Sequence, residues 1–137
     1  MRIPINAFDN PEFAAAVEAT GKKTLVIAGT ITSVCLAFPS LSAVVAGYKV
    51  FAVVDASGTV SKMASDLTIA RLVQAGVVPI DTMGTLSEMQ KSWNRPDARE
   101  WAEVYAQAMP HYQLLIECYI KAQQVASEHE TLDSQRS

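Results

Sequence analysis

The sequence predicts an α/β fold built on a parallel sheet flanked by helices. Two short unbroken apolar runs, Lys23 to Ala28 and Lys49 to Val54, lack polar alternation and read as buried strands. A helical segment follows each of them, and a third, weaker run at Val77 to Ile80 continues the order. Strand, helix, strand, helix, strand is the arrangement that right-handed crossovers turn into a parallel sheet. The 137 residues, half of them hydrophobic, are enough for one core. The sequence places that single domain over residues 1–126, followed by a polar tail over 127–137.

The elements follow in order. Asp9 or Asn10 as a cap, Pro11 in the first turn and an alanine-rich run stopping at Gly21 predict a helix over residues 8–20. The first strand closes at Gly29, and a helix is expected over about 33–46. The second strand ends before Asp55, and a helix over about 61–75 gathers Met63, Leu67, Ala70 and Val73 on one face. Pro79 demotes the third strand to a sheet edge. Helical stretches are expected over 86–93 and 98–108. A longer one follows Pro110, with Leu115, Cys118, Tyr119, Ala122 and Val125 at helical spacing. Trp93 and Trp101 read as helix packing. A strand as apolar as Leu25 to Ala28 belongs in the middle of a sheet, yet only one helix precedes it. The chain therefore reads as part of a larger fold, its open edge belonging to missing strands or to another subunit.

Composition narrows the function. With 14 acidic against 11 basic residues, a net charge of -3 and a pI near 5.3, there is no basic footprint for nucleic acid or an anionic membrane. Charged residues at 18% and a mean hydropathy of +0.15 argue against disorder. No apolar stretch reaches the ~20 residues of a membrane span. The N-terminus lacks a secretory apolar region, so a cytoplasmic location is expected. Cys35 and Cys118 do not make a disulfide framework and are judged as free thiols. No metal-ligand spacing stands out, Ser57-Gly58-Thr59 reads as a turn rather than a phosphate loop, and no cofactor is expected.

In open α/β sheets, ligands collect beyond the carboxyl ends of the strands. The first strand runs out at Gly29 and passes through Thr30 to Val34 into Cys35, which falls in the opening turn of the next helix. A thiol there faces unpaired amide donors and the positive end of the helix dipole, which favour thiolate, and the same amides could hold an oxyanion. The alternative for a lone cysteine is inert packing. Cys118, mid-helix among Leu, Ile and Tyr, is read as core. His111 and His129 lie in the C-terminal region, neither placed to serve Cys35. Asp55 and Asp81 follow strands and could share its end of the sheet, although short polar side chains in such places commonly cap turns and helices.

The string from Val26 through Gly29-Thr30-Ile31-Thr32-Ser33-Val34-Cys35, followed by Ala37 to Ala43 and by Val53-Val54-Asp55-Ala56-Ser57-Gly58-Thr59, resembles the isochorismatase-like cysteine hydrolases in their YcaC-like branch. Ile5 to Asn10, Gln74-Ala75-Gly76 and Glu88 to Trp93 are similar to the same branch. The resemblance implies a three-layer isochorismatase-like sheet of which the N-terminal strands are missing here. It implies that Cys35 attacks a small amide, ester or vinyl ether, releases amine or alcohol, and leaves a covalent intermediate for water. It further implies a cis peptide at Thr30–Ile31, with the backbone N–H groups of Ile31 and Cys35 as oxyanion donors, and a homo-oligomer. The family's catalytic aspartate has no counterpart in this sequence. Its basic position falls on Met1, with Arg2 beside it as a displaced substitute. Asn6, Phe8, Thr32 and Phe38 are candidate pocket residues by nearness, for a small-molecule substrate. A truncated, non-catalytic homologue serving as an association module is the competing expectation. A thiol redox sensor is a third, lacking an evident resolving partner for Cys35.

Overall fold

In the computed structural model, which describes residues 4–128, the chain enters through a 3-10 turn at Ala7–Asp9. The Asn10 side chain then accepts the Glu12 N–H at 2.9 Å, and Pro11 opens helix α1, Pro11–Ala19, at a position where its missing N–H has no helical partner to lose. Gly21 takes the left-handed φ of 65° just beyond the helix end. Strands β1 (Thr24–Ile27), β2 (Lys49–Val53) and β3 (Val78–Ile80) form one parallel sheet in the order β1-β2-β3. The register pairs Leu25 with Val50, Ile27 with Ala52, and Ala52 in turn with Pro79. β3 lies at an edge, as its proline predicts. β1 forms the other edge and has no outer partner among the described residues.

The helix expected to begin at Ser33 opens instead with a wide π turn, Thr32–Leu36, which runs directly into α2, Ala37–Val45. Ser61 caps α3, Lys62–Gln74, by accepting the Ala64 N–H at 3.1 Å. α2 packs against β1 and β2, and α3 packs against β3 and the π turn. Their common core is Leu36, Ala37, Ala43, Val50, Ala52, Leu72 and Val77.

The other face of the sheet carries Val26, Phe51 and Val78 in register. It is open: Val26 is 52% and Val78 41% exposed. β1 was expected to be buried on both faces and is not. Its residues alternate between exposed and half-buried, because helices pack on one face only and no strand adjoins its outer edge among the described residues. α3 also departs from expectation. Met63, Leu67 and Val73 face outward, while Thr68 and Leu72 are buried. The Thr68 hydroxyl donates to the Ala64 carbonyl at 2.7 Å, which lets a polar residue occupy the inner face and hides that face from a hydrophobicity count.

The chain divides into two compact units, the first ending at Thr85 and the second beginning at Leu86. The division falls within α4, Thr82–Gln90, which starts four residues before the expected position because Asp81 accepts the Gly84 N–H at 2.6 Å. In the second unit, α5 (Ala98–Ala108) packs on α6 (Pro110–Glu128). Tyr105 is its most buried aromatic, with ring centroids of Trp93, Trp101 and Tyr112 at 5.4, 6.5 and 5.5 Å. Arg95 grips Asp97 through two bonds of 2.6 and 2.7 Å. α6 exposes Leu114, Leu115, Tyr119 and Ile120, and Cys118 with them. The reading of Cys118 as core is thus corrected. Helical periodicity identifies an apolar stripe and says nothing of what covers it. No helix among the described residues is long and apolar enough to cross a membrane.

Two expectations follow. Leu72→Ala should cost about 2–5 kcal/mol in urea unfolding, whereas Leu67→Ala on the outer face should stay within about 0.5 kcal/mol. The hydrogen bonds from Arg95 hold the Asp97 carboxyl down from 3.8 to about 2. A depressed acid contributes stability above its unfolded value, and that contribution is lost as pH falls through the folded one. Carbon NMR of the Asp97 carboxyl should therefore show a midpoint near 2, returning toward 3.8 in Arg95→Gln, with the pair's small surface contribution fading only across that window.

Candidate active site

Parallel pairing decides where the site forms. β1 and β2 run in the same direction with Ile27 beside Ala52, so the loops that follow them leave the sheet next to one another. Ser57 ties the first loop to the second strand: its hydroxyl accepts the Gly29 N–H at 3.1 Å and donates to the Val53 carbonyl at 2.7 Å. The Gly58 carbonyl then accepts two groups of Thr32, the N–H at 2.6 Å and the hydroxyl at 2.8 Å. Between these fasteners lies the Thr30–Ile31 peptide, which is cis, as the resemblance implied.

Cys35 sits in the π turn that opens the helical segment, and its thiol is exposed. The placement read from the sequence is therefore the observed one. Gly29 is required at the base of the loop, since a Cβ there would fall 2.8 Å from both the carbonyl carbon and oxygen of Cys35. The expected pair of oxyanion donors is not reproduced. The Cys35 N–H donates to the Ile31 carbonyl at 2.7 Å, within the turn that carries it, and the Val34 N–H reaches the same oxygen at 3.0 Å. The Ile31 N–H has no protein acceptor among the described residues, and the residue is 39% exposed.

The two carboxylates at this end of the sheet are both caps. Asp55 accepts the Thr82 N–H at 2.8 Å and the Thr82 hydroxyl at 2.9 Å, and Asp81 caps the start of α4. Among the described residues neither bonds to Cys35, and the thiol has no hydrogen-bond partner.

The candidate pocket residues separate. Thr32 is 1% exposed and bonds the Gly58 carbonyl, so it supports the loop from inside. Asn6 caps the opening 3-10 turn by accepting the Phe8 N–H at 3.2 Å, and it donates to Ser42 of α2 at 2.9 Å. Phe8 packs against Phe13 and Tyr48 with centroids at 5.5 and 6.5 Å. These two residues fasten the entry segment to the body of the unit. Phe38 lies three residues beyond Cys35 on the same helical segment, and its ring faces the Arg71 guanidinium at 5.6 Å. Arg2 lies outside the described residues, as does His129. Sequence reasoning missed Ser57 and Gly58, which it took for a simple turn. The signal available was their position just past a strand whose parallel neighbour ends in Gly29.

Residues 1–83 match the isochorismatase domain. Over 115 residues the chain is 44% identical to the probable hydrolase YcaC of Escherichia coli, an alignment covering 84% of this chain and 55% of that protein. The crystal structure of the Escherichia coli YcaC gene product, an octameric hydrolase of unknown specificity, superposes with a TM-score of 0.83 at 40% identity, covering 89% of this chain and 59% of that one. YcaC from Pseudomonas aeruginosa, solved with hexane-2,5-diol and covalent acrylamide, gives 0.80 at 39% identity, covering 86% and 58%. The chain thus spans little more than half the length of these relatives. Through the profile match, the identity to YcaC and the shared parallel sheet, the chain belongs to the isochorismatase family of hydrolases.

Proposed function

We propose that Cys35 is the nucleophile of a cysteine hydrolase acting on small amides or esters. The observation that supports this most is its position, an exposed thiol in the first turn after a strand end, on a loop bound by three hydrogen bonds to the loop that follows the neighbouring strand. In the reaction proposed, the sulfur forms a bond to the carbonyl carbon while the C=O π pair moves to oxygen. The tetrahedral species collapses, the C–N or C–O bond breaks, and the leaving group departs with a proton. Water then cleaves the thioester and restores the thiol. The Ile31 N–H, free of a protein acceptor among the described residues, is the donor available to the developing oxyanion. A carbonyl is the electrophile that suits a thiol, which favours amide and ester over vinyl ether.

The proton acceptor is a separate matter. The carboxylates near this end of the sheet act as caps, so in this proposal turnover depends on a base supplied by polypeptide beyond the portion this chain shares with its relatives. A second reading, an association module without catalysis, is supported by the open β1 edge and by the uncovered apolar faces on the sheet and on α6. Assembly into a homo-oligomer, as in the octameric relative, belongs to both readings.

Because both thiols are exposed, Cys118 is an internal reference for Cys35. In acrylamide labelling near neutral pH, followed by peptide mass spectrometry, Cys35 should react at least about tenfold faster than Cys118. Equal rates would leave only the association reading. Cys35→Ser should lose the fast adduct and any hydrolysis of an amide panel, and unchanged turnover would exclude the nucleophile. Gly29→Ala, whose methyl would overlap the Cys35 backbone, should cost about 1–3 kcal/mol in urea unfolding and slow the Cys35 adduct.

A further inference from the structure

We infer that Ser57 is a positioning residue for Cys35, acting through the hydroxyl bridge it makes between the Val53 carbonyl and the Gly29 N–H. The inference rests on the proposed role of Cys35 and adds the element that sets where its sulfur sits. The loop leaving β1 has no neighbouring strand on its outer side among the described residues, so its lateral position is set from the β2 side. Two fasteners come from there. The Gly58 carbonyl holds Thr32, late in the loop, and Ser57 holds Gly29, at its base.

The Ser57 oxygen is accepting and donating at once, at 3.1 and 2.7 Å, so a single atom fixes the spacing between the end of β2 and the start of the loop. Gly29 passes that position on. Its α-carbon packs so closely on Cys35 that an added Cβ would lie 2.8 Å from the Cys35 carbonyl carbon, and no side chain intervenes to absorb a shift. Displacing Gly29 therefore displaces the turn carrying the sulfur. Ser57 itself makes no hydrogen bond to that sulfur and acts only through this backbone contact.

Removing the hydroxyl leaves the Gly58 clamp and the core intact while freeing the base of the loop. The test compares Cys35 with Cys118 in the same molecule, measuring acrylamide alkylation rates across a pH series, with urea unfolding of each variant alongside. In Ser57→Ala the rate ratio of Cys35 to Cys118 should fall about tenfold, whereas Ser57→Thr, which keeps the hydroxyl, should hold it within about threefold of the wild type. The pH series separates a changed thiolate fraction from a changed approach to the sulfur. A purely structural role would shift the urea midpoint and leave the ratio in place, and that result overturns the inference. Equal loss in Ser57→Thr overturns it as well, since volume rather than the hydroxyl would then be responsible. Should the alanine variant fail to fold, Ser57→Thr and Ser57→Val, nearly equal in shape, make the same comparison, and equal ratios in that pair refute the bridge. If the wild-type chain labels both cysteines equally, the nucleophile reading itself fails, a result distinct from every outcome among the Ser57 variants.

Discussion

The parallel pairing of β1 with β2 is the constraint on which the rest of the first unit depends. An antiparallel neighbour would send its loop to the opposite end of the sheet, whereas a parallel one delivers Gly29 and Ser57 to the same place. The register does more than align backbones. Leu25 with Val50 and Ile27 with Ala52 put one set of apolar side chains under α2, and the core formed there with Leu36, Ala37 and Ala43 fixes the start of the helical segment. Because Leu36 is the residue after Cys35 and is fully buried, the same packing that stabilises the sheet anchors one side of the cysteine turn. The hydrogen bonds from Ser57 and Gly58 anchor the other.

Much of this was legible in the sequence because strong local signals agreed with the tertiary outcome. Asn10 before Pro11 fixed α1, the apolar runs fixed β1 and β2, and Pro79 placed β3 at an edge. Cys35 could be placed because a strand closing on glycine before a helical pattern has few ways to continue. Hydrophobicity failed where burial rests on satisfied polar groups. Thr68 and Thr32 are both buried with their hydroxyls bonded to carbonyls, at Ala64 and Gly58, and neither is marked by its residue type. The partners of Thr32 and Gly29 are 26 and 28 residues away in sequence, beyond the reach of any local pattern, and become visible only once the strands are paired.

The outward-facing apolar groups have a common logic. Val26 and Val78 on the sheet, Met63 and Leu67 on α3, and Leu115 and Tyr119 on α6 have the composition of residues selected for contact, yet all stand open. Isolated exposed apolar residues are ordinary on any protein, but here they recur at regular spacing along faces of identified elements. The sequence pattern is that of a fully covered fold, and the chain spans 55% of the YcaC sequence it matches. The same pattern explains why the strand reading succeeded on existence and failed on exposure: the residue types report the environment in which an element is stable, and β1 has only part of it.

The site divides along a similar line. Placing a nucleophile is a problem of backbone geometry, and the hydrogen bonds that tie down the Cys35 loop, from Ser57 and Gly58, lie within the first unit. Deprotonating it requires a base within hydrogen-bond reach, and the acidic side chains at this end of the sheet already serve backbone donors, Asp55 at Thr82 and Asp81 at Gly84. Withdrawing either to serve the thiol would strip one of the two caps from the start of α4, a loss of about 0.5–2 kcal/mol. Positioning and proton transfer are therefore separable requirements, and the geometry described here meets the first with a fixed loop and an open thiol. An electrophile such as acrylamide tests the sulfur's placement and its ionisation together but nothing beyond them, because addition of the thiolate forms one S–C bond, takes up a proton at the neighbouring carbon and has no leaving group to expel. Turnover of an amide adds proton delivery to the leaving group and the attack of water, so fast alkylation without turnover would mark a poised thiol that lacks its acid–base partner.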